Sequence, residues 1–376
     1  VVVSRLTRTP YIEQAYGFAD GEMSLLLFPL MPVGIILGRQ LVTWLGDKMS
    51  PYVGSFIGMM LISGSVLLLY IPNHSIMLVF IIMGLGFGIT NICINTLAHC
   101  FEEVAGQKCF ARCHGSFSIG TLVSGMLAQP LISWGVSFAD HMVIISVSTI
   151  IVVIIATYVL WRNTHTLKLF HTSHVDDNLN TNITLKQSSV MWILGLLCFF
   201  IAFVEGVVMD QMVNYNKKIY LLSEADAVTA LNIFLFTMAM TRILADFINL
   251  TRERIFTICL SLVFIGSLII LLQPIIWLYY LGVALLGIGG SILIPYVYKF
   301  GAVMGNKSST QNIAFIAFFT SFSFLLNPMI VGGTTKWIDF SVAFRYVLII
   351  AVMVALILWL YLLMKQARVK QGQDDK

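Results

Sequence analysis

The sequence predicts an all-α membrane protein built from two parallel-related halves of six helices each, and three observations predict it. Of its 376 residues, 58% are hydrophobic and 11% charged. A soluble domain carries about 25% charged residues and about 45–50% apolar ones, so this chain has too few charges to cover a water-facing surface. Soluble enzymes, nucleic-acid binders and secreted disulfide scaffolds are excluded, the last also because the six cysteines fall mostly inside apolar stretches. The second observation is a succession of apolar stretches, each near the ~20 residues a helix needs to cross the hydrocarbon core. The third is an internal repeat at an offset of about 200 residues.

In chain order the predicted spans are residues 22–43, 52–71, 75–97, 116–134, 142–161, 190–212, 227–248, 255–272, 275–298, 313–332 and 344–364. Their apolar residues are continuous rather than alternating, which argues against a porin-like barrel. The connections are short except for residues 162–189, a polar stretch holding His165, His171, His174, Asp176 and Asp177. It reads as a linker between two membrane halves. The organisation is then an N-terminal half at 1–161, a linker at 162–189, a C-terminal half at 190–364 and a tail at 365–376. Of the 22 Lys and Arg residues, fourteen lie in the linker, the tail and the loops on their side, from Lys48 to Lys376. Six (Arg5, Arg8, Lys217, Lys218, Lys336 and Arg345) lie opposite. Positive residues concentrate inside, so linker and C-terminus are expected to be cytoplasmic in a plasma (inner) membrane.

The repeat rests on three matches. Asp47 and Asp246 end their spans 199 residues apart, Gly84-Leu-Gly-Phe-Gly88 and Gly287-Ile-Gly-Gly-Ser291 are 203 apart, and Gln129-Pro130 and Asn327-Pro328 are 198 apart. By the same offset, the span at 190–212 has its partner at about −9 to 13. The chain, which begins at Val1, is expected to open in the tail of a helix whose beginning is missing, giving eleven complete spans and one truncated one.

These residues carry a family resemblance. The chain resembles the major facilitator superfamily (MFS), and within it the bacterial YbjJ-like branch. Arg8-Thr-Pro10 looks like the end of that branch's first helix, and Asn91-Ile-Cys-Ile-Asn95 stands where the branch has Asp-Val-Ala-Met-Asn. Arg112-Cys-His114-Gly-Ser-Phe117-Ser118-Ile-Gly120-Thr121 resembles its Arg-Phe-His-x-x-Phe-Ser-Leu-Gly-Thr run. Glu205-Gly206-x-x-x-Asp210 matches its Glu-Gly-x-x-x-Asp-Trp, with Gln211 replacing Trp, and Pro295 and Asn327-Pro328 complete the set. Asn91 departs from an acid, and the inner-loop motif is reduced to Thr43-x-x-x-Asp47-Lys48-Met49-Ser50. The resemblance implies the MFS fold and a transporter that works by rocking one half against the other.

Glu205 lies within a span, where an ionised acid costs at least ~2.5–3.5 kcal/mol. It must face water, pair with a cation or be protonated. It is the leading candidate for proton coupling, and a structural ion pair is an equal alternative. Asp210 is a second coupling candidate, although it reads more readily as a solvated acid. The repeat places position 6, between Arg5 and Arg8, opposite Glu205, so an Arg5–Glu205 or Arg8–Glu205 contact in one transport state is expected. Asn91 and Asn95 share a helix face at i,i+4. By the resemblance that helix lines the solute cavity, with Arg8 and Tyr296 as further lining residues. The competing reading of the asparagines is interhelical glue, worth about 0.6 kcal/mol per bond. Asp47, Lys48, Arg242 and Asp246 are expected to be gating residues. Arg39 is expected either to snorkel to the inner surface or to pair within the bundle, with snorkelling preferred.

No HExxH, GxSxG or P-loop is present, which speaks against an enzyme or a nucleotide-driven pump. No cofactor is expected. His99, Cys100, Cys109, Cys113 and His114 fit no common zinc spacing, so no metal is expected either. The glycine runs sit mid-span and read as close-packing surfaces. The expected function is secondary active transport of a small polar solute, sugar- or metabolite-like, by a proton-coupled monomer in the lipid bilayer. A drug exporter of the same fold is the nearest alternative, since 18 Met and 26 Phe suit an apolar cavity. A transporter-like sensor that binds without moving solute is the alternative of another class.

Overall fold

The computed structural model describes residues 1–19, 21–45, 49–70, 75–105, 110–162, 187–245, 250–272, 275–304 and 309–374, and it is helical with no strand among them. The helices are α1 (Val2–Thr7), α2 (Thr9–Ala15), α3 (Glu22–Leu26), α4 (Leu30–Leu45), α5 (Pro51–Gly64), α6 (Ser75–Ala105), α7 (Phe110–Ser133) and α8 (Phe138–Arg162). They continue as α9 (Ser189–Ile219), α10 (Glu224–Ala227), α11 (Thr229–Leu244), α12 (Arg252–Leu271), α13 (Ile276–Met304), α14 (Ser309–Thr334) and α15 (Phe340–Asp374). A 3₁₀ segment, Ser65–Tyr70, follows α5.

Among the described residues, ten helical stretches are long and apolar enough to cross a membrane. The expected span at 116–134 forms α7 but is not one of the ten; its serines, glycines, Gln129 and Pro130 dilute its apolar content. The expected span at 22–43 is broken into α3 and α4 by a turn at 27–29. Pro29 supplies no N–H there, so the ladder of hydrogen bonds cannot run through it. Most of the linker at 162–189 lies outside the described residues.

The chain divides into two compact units, one of Val1–Asn178 with Asn216–Thr229 and the other of Leu179–Tyr215 with Ala230–Lys376. Within the first, Gly84 and Gly88 of α6 lie against the α4 backbone at Met31 and Ile35, and Gly86 lies against α5 at Gly58. A Cβ at any of these positions would overlap the neighbouring backbone, so the glycine run is a close-packing surface. Its apolar core joins Ile12, Met23, Phe28, Ile62, Phe80, Met83 and Met142. Tyr52 at the start of α5 donates to the Thr157 carbonyl of α8 at 2.8 Å. In the second unit Gly287 packs on α11 and Gly289 on α12. Phe256, Phe300 and Trp359 form an aromatic cluster, with Phe300 stacked on Trp359, and Trp359 Nε1 donates to Thr257 Oγ1 at 3.0 Å.

The repeat is visible in the helix starts. Ser50 Oγ accepts the Val53 N–H at the start of α5, and Thr251 Oγ1 accepts the Arg254 N–H at the start of α12, 201 positions later. Each satisfies an N–H that a helix terminus leaves without an intrahelical partner. The outward faces are apolar, as at Ile151, Val152, Ile154 and Ile155 on α8, which suits contact with lipid rather than water. Trp134, Trp277 and Trp337, at helix ends, are 76%, 75% and 88% exposed, the placement of an interfacial aromatic belt.

Candidate functional site

Two polar centres are held inside the helices, one in each unit. In the first, Arg8 occupies the break between α1 and α2 and is only 3% exposed. Its guanidinium reaches three elements at once. Nε donates to His141 Nδ1 of α8 at 3.0 Å, Nη2 to the Val136 carbonyl in the α7–α8 turn at 2.6 Å, and Nη1 pairs with Glu224 Oε1 of α10 at 3.2 Å. This use of a planar fork is one that lysine cannot reproduce. Because His141 Nδ1 accepts, it carries no proton and the ring is the neutral Nε2–H tautomer; Nε2 itself is buried without a hydrogen-bond partner.

Two further contacts fix the connection from the end of α9 through α10, residues 216–229. Lys218 Nζ donates to Glu13 Oε1 at 3.0 Å, and Gln129 Nε2 donates to Thr229 Oγ1 at 3.3 Å. Within this connection, Asn216 Nδ2 donates to the Ala227 carbonyl at 2.7 Å. Residues 216–229 are thus bound by side chains of α2, α7 and the α1–α2 break. Arg5, one turn before Arg8, has its guanidinium carbon 5.1 Å from the Phe28 ring centre and 4.6 Å from that of Phe80, a cation–π sandwich.

Deeper in this unit, Arg39 Nη2 donates to Asn91 Oδ1 at 3.4 Å. Of the two expectations for Arg39, the preferred one, snorkelling, is corrected in favour of pairing within the bundle. Its side chain turns into the bundle, where Asn91 of α6 offers an acceptor across the close α4–α6 contact. Asn91 is engaged as a link between helices, and Asn95, one turn on, is half-buried.

In the second unit Glu205 sits on α9 and Arg242 on α11. The Arg242 Nε is anchored to the Ser291 carbonyl of α13 at 2.8 Å. Glu205 also lines a cavity of about 20 Å³, walled by Ile201, Phe234, Leu260, Leu286 and Val352 among others, which is room for about one water molecule. Asp210, further along α9, is half-buried. Tyr296 of α13 lies against Phe300, with Lys299 Nζ 5.2 Å from its ring centre. Asp47, Lys48 and Asp246 lie outside the described residues, as do the side chains of His99, Cys100, Cys113 and His114.

The sequence reading singled out Arg8, Glu205, Arg242, Asn91 and Arg39, and the structure pairs Arg8 with Glu224 and Arg39 with Asn91. It missed Glu224, His141, Glu13 and Lys218. The available signal was an ionisable residue at a span edge, as in Ala139-Asp140-His141-Met142.

Comparison with known proteins agrees with this architecture. The chain is 24% identical over 368 residues to Membrane protein MosC of Rhizobium meliloti, covering 94% of this chain and 85% of that protein. A crystal structure of a bacterial homolog of the human lysosomal transporter Spinster, in an inward-facing and occupied conformation, superposes with a TM-score of 0.67 at 13% identity. That match covers 97% of this chain and 93% of the other. The nucleoside transporter NupG superposes with a TM-score of 0.70 at 13% identity, covering 96% and 94%. The family model of the Major Facilitator Superfamily matches residues 9–302. With well over half of the chain matched, this multi-pass membrane protein belongs to the Major Facilitator Superfamily of transporters.

Proposed function

We propose that the protein is a secondary transporter that moves a small neutral polar solute across the plasma (inner) membrane by alternating access, driven by protons. The observation that carries this reading is Glu205 lining a water-sized, otherwise apolar cavity on a helix inside the membrane-spanning region. A carboxylate surrounded by apolar side chains is tolerated when a cation compensates it or when it takes up a proton. In this reading Arg242, anchored by the Ser291 carbonyl, is the cation, and a small displacement between α9 and α11 exchanges one means of compensation for the other. That exchange is the elementary step of proton coupling. Asp210 on the same helix is the second group along the proton's route.

Family membership supplies the transport cycle, and the hydroxyl, amide and carbonyl groups buried in the helices favour a solute that hydrogen-bonds over a purely apolar drug. The positive residues of the linker and C-terminus favour a cytoplasmic side for both, and the proposed working unit is a monomer.

The test is proton movement in proteoliposomes on addition of separate sugar, amino-acid, organic-acid and cationic-drug pools. The reading expects a sugar or other neutral polar pool to move protons. Movement with the cationic-drug pool alone would assign the exporter function instead. A pool that raises the melting temperature without any flux would assign a sensor.

A further inference from the structure

The repeat places Gln129-Pro130 of α7 and Asn327-Pro328 of α14 in corresponding positions. In transporters built from repeats, proline-interrupted spans at matching positions of the two halves point to the region where solute binds. The two amides are used differently. Gln129 donates to Thr229. Asn327 is fully buried, and neither its Oδ1 nor its Nδ2 has a hydrogen-bond partner.

Asn327 is pressed against α9 at Gly206, where a Cβ would overlap its amide. Four residues earlier on the same face of α14, Ser323 is also fully buried with its hydroxyl unpartnered. This is unusual for a helical serine, which can bond its own helix as Ser321 does to the Ala317 carbonyl. Pro328 has no N–H, so the Phe324 carbonyl loses its usual helical donor. The next residue along the stripe, Thr320, is satisfied by contacts to Cys198 Sγ at 3.2 Å and Tyr298 Oη at 3.1 Å. One end of this polar stripe is therefore complete and the other is open. In a membrane interior, open polar groups are costly, and they persist where another state of the protein satisfies them.

We propose that Asn327 and Ser323, together with the freed Phe324 carbonyl, are a recognition site for a neutral solute bearing hydroxyl or amide groups. The site offers an amide donor, an amide acceptor, a hydroxyl that does either, and a carbonyl acceptor. None of these groups is charged, which matches a polyol, sugar or carboxamide rather than an anion or cation. The proposal rests on the reading of the chain as a transporter of polar solutes and names the groups that select the solute.

Two measurements test it. First, Asn327→Leu and Asn327→Ala are purified and melted without solute. A recognition residue that is unsatisfied in the resting fold predicts that Asn327→Leu melts no lower than wild type. A drop of about 4 °C or more in both variants would make Asn327 structural and overturn the proposal. Second, the Asn327→Cys variant in membrane vesicles is labelled with a water-soluble maleimide, and labelling above wild type is followed. Glucose, N-acetylglucosamine and glutamine are the neutral probes; lactate and tetraphenylphosphonium are the charged ones.

Labelling slowed at least threefold by a neutral probe and not by the charged ones is the expected result. No labelling above wild type, or labelling that no neutral probe slows, overturns the site. Proton flux in proteoliposomes decides the transporter reading separately. Flux without protection at position 327 removes this site and leaves transport standing, whereas protection without flux leaves the site in a binding protein.

Discussion

Arg8 Nη1 lies 3.2 Å from Glu224 Oε1, and the two residues are 216 positions apart in the chain. The arginine side chain is 4% exposed and the glutamate 24%. The pair is unequal as a result: the cation depends on its acceptors, while the acid keeps access to water.

That inequality sets the order of effects for substitutions. Glu224→Gln retains an acceptor and is expected to cost about 1 kcal/mol. Arg8→Leu removes the donor from three acceptors and is expected to cost about 3 kcal/mol, with Arg8→Lys in between. Thermal unfolding of the purified protein reads this order directly. Equal effects of Arg8→Leu and Glu224→Gln would show that His141 and the Val136 carbonyl contribute nothing to holding Arg8.

His141 accepts from Arg8 through Nδ1. Glutamine can present a side-chain oxygen to the same donor, whereas leucine cannot. His141→Gln is therefore expected to melt close to wild type, and His141→Leu to lose about 1–3 kcal/mol by leaving a buried guanidinium N–H unpaired. A loss equal in both variants would mean that ring shape, not the hydrogen bond, is what the site requires.

The glycine run on α6 makes a positional prediction. Gly84→Ala forces a methyl into the α4 backbone and is expected to cost about 1–3 kcal/mol. Gly290→Ala on α13 meets nothing within 4 Å and is expected to be neutral or to stabilise by up to about 1 kcal/mol through its better helix propensity. Expression level and melting temperature of the two variants suffice. Similar losses in both would contradict the close α4–α6 approach.

Asn91 stands where an acid stands in the branch this chain resembles, and here its oxygen accepts from Arg39 at 3.4 Å. Asn91→Asp keeps the acceptor and makes the bond charge-assisted, so it is expected to raise stability by about 1 kcal/mol. Asn91→Leu is expected to lower it by about 1–2 kcal/mol. If Asn91→Leu melts like wild type while solute-driven flux is lost, the residue serves the solute and not the bundle.

The helices were legible because hydropathy is a direct record of which residues lie in hydrocarbon. Their ends were less so. The span expected to finish at Met212 continues as α9 to Ile219, and the one expected to finish at Leu97 continues as α6 to Ala105. α9, with 31 residues, is about 46 Å long at 1.5 Å per residue, so it projects beyond a ~30 Å core. Asn214, Asn216 and Lys217 lie in this projecting part, where hydropathy has already fallen.

Similar logic explains the candidate sites. An internal repeat can align Arg8 with a position across the fold, and it suggested Glu205 as the acid. Here Arg8 pairs with Glu224, which sits in the connection between α9 and α11, where no periodicity or repeat marks a residue. Glu205 was legible as an acid inside a span. Arg242 was visible too, but as a gating residue, since it lies four positions before Asp246 in sequence.

The central claim is that Glu205 couples solute movement to protons, and the Glu205→Gln variant tests it most directly in two assays on the same proteoliposomes. Solute exchange at equal pH asks only for alternating access, whereas uphill accumulation driven by a pH gradient asks for coupling. The account predicts that Glu205→Gln keeps exchange within about threefold of wild type, a ΔΔG‡ of under ~1 kcal/mol, and loses gradient-driven accumulation. Accumulation at the wild-type level in Glu205→Gln would contradict it and leave Glu205 with a structural role.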